Sequence, residues 1–167
     1  MTSLFDWMGG EHALERLTSV FYAKVRTDPL LAPVFARMPA DHPQHVAKFI
    51  GEVLGGPAQY SNLRGKDAHL WMMTRHLGRH LGEAQRKRWM DLLLASADEI
   101  GIPADPEFRS AFVGYLEWGT RIAVQVSQTD GPLPDPGPMP HWGWGETGGP
   151  YSAARPSSQE DSQTKKE

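Results

Sequence analysis

Val46, Phe49, Ile50, Val53 and Leu54 recur at i, i+3, i+4, i+7 and i+8 without a miss, and no other stretch limits the fold so sharply. On a helix of 3.6 residues per turn these side chains form one apolar stripe that other apolar surfaces must cover. Pro39 and Pro43 bracket its start, with Asp41 or His42 as cap, and Gly55-Gly56-Pro57 stops it, so the spacing predicts a helix over about 41–54. Leu14, Leu17, Phe21 and Val25 predict another over about 11–25, set off from a first turn at Leu4 to Met8 by Gly9-Gly10. A third resumes at Glu83 with Trp89, Leu92, Leu93, Ala97 and Ile100 on one face, and Gly101 ends it. Asp105-Pro106 opens the last helix, which buries Phe108, Phe112, Tyr115, Leu116 and Ala123 and fades near Gln128. With no alternating strand pattern and no internal repeat, the chain reads as all-α.

The punctuation between these helices predicts the rest. Asp28-Pro29 is a helix start, and Pro33 limits that helix to about Phe35. Residues 57–68 read as loop because of Pro57, Ser61-Asn62 and Gly65. From residue 129 proline and glycine dominate, which divides the chain into a domain over 1–128 and an irregular tail over 129–167. Trp142 and Trp144, in the HWGWG run, are costly to leave in water and are expected to dock on the domain or on a partner, with disorder after about residue 151.

Composition removes several classes of function. There is no cysteine among the 167 residues, which excludes disulfides, iron–sulfur clusters, thiol catalysis and thioether-linked cofactors. Basic and acidic side chains number 17 and 20, the net charge is -3 and no Lys/Arg run stands out, so neither nucleic acid nor an anionic membrane is the expected partner. The N-terminus lacks a basic region followed by an apolar run, and no segment approaches the ~20 apolar residues of a membrane span. A cytoplasmic location is expected.

The candidate chemistry lies in LWMMTRHLGRHLGEAQRKRW, residues 70–89. Its helix is expected to begin near Asp67 and to be cut short by Gly78 and Gly82, and it sets His76 beside Leu70, Met72 and Met73. A neutral imidazole in an apolar shell is a good metal ligand, although a lone histidine on a half-apolar helix is more often a core or surface residue. His76 and His80 also stand one helical turn apart, the spacing of two-histidine zinc sites. With a carboxylate such as Glu83 they suggest a zinc-dependent helical hydrolase, yet Leu77-Gly78-Arg79 between them is no HExxH. A cofactor-free interaction module displaying HWGWG is the third reading. Tyr22 on its own reads as a boundary tyrosine, Phe35 as a core plug, and His42 and His45 as caps at the rim of the 41–54 helix.

Taken in order, these residues resemble the truncated haemoglobins, and their group II members in particular. The likeness is carried by Gly9-Gly10, Phe21-Tyr22, Phe35, Gly55-Gly56-Pro57, Arg75-His76, and Trp89 placed 13 residues after His76, and it covers about Leu4 to Gln128. It implies a two-over-two helical sandwich holding haem b noncovalently, with His76 as proximal ligand to the iron. Tyr22 and Trp89 would be the distal polar groups, Phe35 would pack on the porphyrin, and Val46 and Phe49 would line the pocket. His42 falls at the distal gate, where small residues are common in the group. Arg75, Lys66 and Arg79 are the cations placed to pair with propionates. Oxygen, nitric oxide or carbon monoxide are the implied ligands. Oxygen bound in such a pocket carries partial negative charge, which a phenol O–H and an indole N–H each stabilise by about 1.5 to 3 kcal/mol. Slow release would follow, which argues against simple oxygen transport and leaves nitric oxide dioxygenase or peroxidase-type chemistry. Such chemistry needs a reductase outside this chain; a homodimer is left open.

Overall fold

The structure is a computed structural model and describes residues 1–150. Those residues form seven α-helices and two short 3-10 turns, with no strand. Helix α1 (Leu4–Met8) is capped by Ser3, whose hydroxyl accepts from the Asp6 amide at 3.0 Å. Gly9, at φ 108°, ends α1 and starts α2 (Gly10–Thr27), and this left-handed backbone lets the second helix leave at a new angle. Leu14, Leu17, Phe21 and Val25 are all fully buried, as their spacing predicts. They pack α2 against α3 (His42–Val53) and α6 (Glu83–Glu99), and α6 in turn packs on α7 (Pro106–Ser127). The pairs α2–α3 and α6–α7 are the two layers of a two-over-two sandwich.

Three expectations are corrected. The helix expected from Pro29 to Phe35 is a chain of turns. Asp28 does cap it, accepting from the Leu30 and Leu31 amides at 3.0 and 3.1 Å, but Pro29 and Pro33 have no N–H to carry the ladder onward. The loop expected over 57–68 holds α4 (Gln59–Arg64) and a 3-10 turn, Gly65–Asp67. Its order comes from tertiary contacts: Tyr60 is buried edge-on against Phe49, with ring centroids 5.1 Å apart, and the buried Glu52 carboxylate accepts from both the amide and the hydroxyl of Ser61. Finally, α5 (Ala68–Thr74) ends before His76, which therefore stands in a turn and not on a helix.

The chain after Ser127 lies on the domain as far as it is described. Trp144 donates from Nε1 to the Thr2 carbonyl at 2.8 Å and meets Trp7 edge-on at 6.0 Å. The Trp142 amide donates to the Val53 carbonyl at 2.8 Å, and its ring lies beside Tyr115 and Trp118. The disorder expected after about residue 151 lies outside the described residues.

Asp105 joins the two ends of the domain. One carboxylate oxygen caps α7 through the Phe108 amide at 2.9 Å, and the other accepts from Trp7 Nε1 at 2.9 Å. Asp105→Ala removes both bonds and should lower stability by about 2 kcal/mol, read as a lower urea midpoint at unchanged m-value. Asp105→Asn, which keeps a capping oxygen, should recover most of that loss.

Candidate functional site: a histidine-bearing cavity between the helix pairs

The two layers do not close on each other completely. Between them, walled also by α5 and the turns after Asp28, is a cavity of about 660 Å³. That falls within the ~300–1,000 Å³ usual for cofactor pockets. Helix α2 contributes Tyr22, α3 contributes His42, Val46 and Phe49, the turns contribute Phe35, and α6 contributes Trp89. His76 lines the same cavity, as do Met72, Met73 and Leu77. Sequence reasoning thus named residues from five separate segments that converge on one space.

The aromatic side chains hold one another in place. Phe21 packs edge-on against both Tyr22 and Trp89, at 4.8 and 5.1 Å, and Tyr22 packs edge-on against Phe35 at 5.8 Å. The Tyr22 hydroxyl is 3.1 Å from His42 Nε2. Burial pushes the Tyr22 phenol well above its ordinary value, so it keeps its proton. His42 is lowered to about 4, first by burial and then by the charges of Arg75, His45, His76 and Arg79. His76 is also held below the ordinary histidine value, by burial first and then by Arg79, against the pull of the Met72 and Met73 carbonyls. A neutral ring keeps a free lone pair, the form in which imidazole binds a metal.

Hydrogen bonds to the end of α7 fix the segment after His76. The Gly78 amide donates to the Thr129 carbonyl, the His80 amide to the Ser127 carbonyl and the Leu81 amide to Ser127 Oγ, each at 2.9 Å. Gln128 Nε2 returns a bond to the Leu81 carbonyl at 2.8 Å. Gly78 has φ +65°, and a Cβ there would fall 2.4 Å from Asp130 Oδ1, so the turn requires glycine. One consequence is that His76 and His80 do not share a helix face: His80 has φ 49° and is exposed, and it is not part of the cavity wall. Glu83 is engaged by Arg86 at 2.6 Å. The zinc reading loses its geometry, and among the described residues no three His, Cys, Asp or Glu side chains cluster as a metal site.

The cationic edge also differs in part from expectation. Arg75 and Arg79 line the cavity and are exposed, whereas Lys66 sits on the 3-10 turn away from it. Arg37, which sequence reasoning passed over because it lies in a turn without periodicity, is a third cation of the rim. His45 is not in the wall; it faces Asp41 across one helical turn at 3.5 Å. Among the other wall residues that sequence reasoning did not assign to the cavity are His69 on α5, and Tyr115, Trp118 and Ile122 on α7. The α7 residues follow one another at helical spacing, and that signal was present in the sequence.

The sequence matches the family described as bacterial-like globin over residues 3–117. It is similar to a group 2 truncated haemoglobin of Bacillus subtilis, 27% identical over 121 residues that make up 72% of this chain and 88% of the relative. A group 1 truncated haemoglobin of Nostoc sp. is 32% identical over a shorter stretch, 94 residues, covering 53% of this chain and 80% of that one. Among solved structures, haemoglobin from the thermophilic phototroph Chloroflexus aurantiacus superposes with a TM-score of 0.64 at 29% identity, covering 74% of this chain and 98% of its own.

Burial first of all holds His42, His69 and His76 below the ordinary histidine value in the folded protein, so in acid the unfolded chain binds more protons at these positions. A depressed folded value means that the stabilisation is complete above the unfolded value of 6.5 and is lost, for His42, as pH falls toward about 4. Urea unfolding of the apoprotein should therefore weaken between pH 7 and 4. His42→Gln should flatten that loss by roughly 1–2 kcal/mol after discounting for partial exposure; equal slopes in the two proteins would mean that His42 titrates normally.

Proposed function

The chain belongs to the bacterial-like globin family, and on that premise we propose that it holds haem b noncovalently in the cavity between its helix pairs and binds oxygen and other diatomic gases there. The observation that carries the reading is the convergence of a neutral His76 with Tyr22, Trp89 and an exposed arginine rim on one apolar cavity of cofactor size. When bound, the haem supplies an iron to which a diatomic guest coordinates. His76, in the cavity wall and followed by the strapped turn, is the residue that would hold the iron, and with no cysteine in the sequence a thiolate could not. Arg37, Arg75 and Arg79 are suited to pair with propionates, in the bidentate geometry that guanidinium offers carboxylates.

The distal side chains set the chemistry. A guest that gains negative charge is stabilised by donors already fixed in a dry site, because no reorganisation is needed when the charge appears. Trp89 offers an indole N–H, and Phe21 holds its ring. Tyr22 has one proton to give. If His42 carries its hydrogen on Nε2, it donates to the Tyr22 oxygen and leaves the phenol proton for the guest; in the other tautomer Tyr22 donates to His42. His42, standing where small residues are common in group II, therefore governs how much of the time Tyr22 is available.

Two donors favour retention over delivery. We place the function in turnover of a retained guest: conversion of nitric oxide and oxygen to nitrate, or reduction of peroxide. Nitrate formation, NO + O₂ + e⁻ → NO₃⁻, consumes an electron each cycle, so a reductase outside this chain is part of the reading.

His76→Ala should abolish one-to-one hemin uptake, read as loss of the Soret band. Tyr22→Phe and Trp89→Phe should keep the band and speed oxygen release roughly 10- to 100-fold each, the equivalent of about 1.5–3 kcal/mol per lost donor. Stopped-flow dissociation rates unchanged in both variants would overturn their assignment as distal donors.

A further inference from the structure

The cavity wall contains an aromatic cluster that gas binding does not use. Trp118 lines the cavity, keeps 37% of its surface exposed, and packs on Trp142, a half-buried ring that is not part of the cavity wall, so the pair leads from the interior toward the outer face. The Trp118 ring centroid lies 5.7 Å from Trp142 and 6.5 Å from Tyr115, and Tyr115 lies 5.9 Å from Trp142. These separations fall within the ~4.5–7 Å of packed aromatic pairs. Trp142 is fixed by its amide bond to Val53 and belongs to the segment beyond the family-matched residues.

We propose that Trp118, coupled to Trp142, is a surface oxidation site for phenol-class donors too large to enter the cavity, passing one electron at a time from the donor at the surface to a peroxide-driven reaction inside. This inference rests on the peroxide reading above. The overall reaction balances as H₂O₂ + 2 ArOH → 2 H₂O + 2 ArO•. The O–O bond breaks in the cavity, each phenol loses one electron through the indole, and its proton reaches the peroxide oxygens through solvent.

The neighbouring groups select Trp118 over its rivals. The chain has no cysteine, so indole and phenol are its readiest one-electron donors. Tyr115 is buried and no hydrogen bond gives its hydroxyl an acceptor side chain among the described residues; burial raises its phenol well above the ordinary value, which opposes loss of the proton that a phenol gives up on oxidation. An indole can give up an electron without losing a proton. Trp71 also lines the cavity and is 43% exposed, but the Arg64 guanidinium lies 4.8 Å over its ring, and that positive charge opposes formation of a radical cation. Around Trp118 the nearest ring groups are His69, Tyr115 and Trp142, none of them a fixed cation.

The test uses the full chain loaded with hemin, hydrogen peroxide, and one phenol offered in two forms, free and tethered to a dextran polymer. Wild type should oxidise both and give a freeze-quenched tryptophanyl signal in electron paramagnetic resonance. Trp118→Phe should lose that signal and lower the ratio of tethered to free oxidation at least tenfold; Trp142→Phe should weaken the signal, and Tyr115→Phe should keep it. In wild type exposed to peroxide without donor, peptide mapping should find hydroxylated indole at Trp118 or Trp142 in preference to the more exposed Trp71, a readout that needs no variant to fold. A retained ratio and signal in Trp118→Phe, or equal hydroxylation of Trp71, overturns the route alone. Failure of wild type to take up hemin or consume peroxide overturns the reading beneath it and the route together.

Discussion

The position of His76 depends on a strap. Although α5 stops at Thr74, the His76 amide still bonds back to the Met73 carbonyl at 3.0 Å, and the far side of its turn is fixed by the four hydrogen bonds that join residues 78–81 to Ser127, Gln128 and Thr129. Ser127 is fully buried and makes two of those bonds, one through its carbonyl and one through its hydroxyl. Each such bond contributes about 0.5–1.5 kcal/mol when made, and a buried amide left without a partner costs about 1–3 kcal/mol, so the turn is held in one conformation.

The cavity is the other half of the constraint. A well-packed domain leaves few spaces between its side chains, and a cavity of about 660 Å³ is far larger than a packing defect. Tyr22 and His42 are removed from bulk water and partner each other, while His69 keeps a buried Nδ1 with no partner. These features weaken the apoprotein and are tolerable if a bound group fills the space. By mass action any group that binds only the folded state stabilises it, so cofactor uptake and folding are coupled here. The interlocked rings of Phe21, Tyr22, Phe35 and Trp89 hold the shape of that cavity.

Much of the fold was legible because it is written in local periodicity. The stripe on α3, the stripe on α2 and the Asp105-Pro106 start of α7 are each set by residues within a few turns of one another. Helix α4 was not legible, because Ser61, Asn62 and Gly65 favour a turn locally, and only the burial of Tyr60 on Phe49 and the Glu52 carboxylate overrule them. The ligand set was legible through a resemblance in spacing; its geometry was not. Gly78 and Gly82 announced that the helix would break; that it breaks before His76, with the following residues bonded to Ser127 and Thr129 some fifty positions later, is a long-range arrangement that no pattern near His76 records. Arg37 escaped notice for a related reason, since a turn residue's direction depends on what the turn packs against.

What lies beyond the family-matched stretch then acquires a structural role. Residues 3–117 contain Tyr22, His42, His76 and Trp89, but Ser127 and Thr129, which hold the turn after His76, come later in the chain. From Thr129 the chain continues to Trp142, whose amide is bonded to Val53 at the end of α3, and to Trp144, bonded to Thr2. One covalent segment therefore connects the turn that positions His76 to the end of the helix that carries His42 and Val46. A displacement of α3 toward or away from the cavity is resisted at Val53 by the same segment that resists displacement of His76. The two sides of the cavity are tied by backbone as well as by side-chain packing, and the tie packs on the cavity wall where Trp142 meets Trp118.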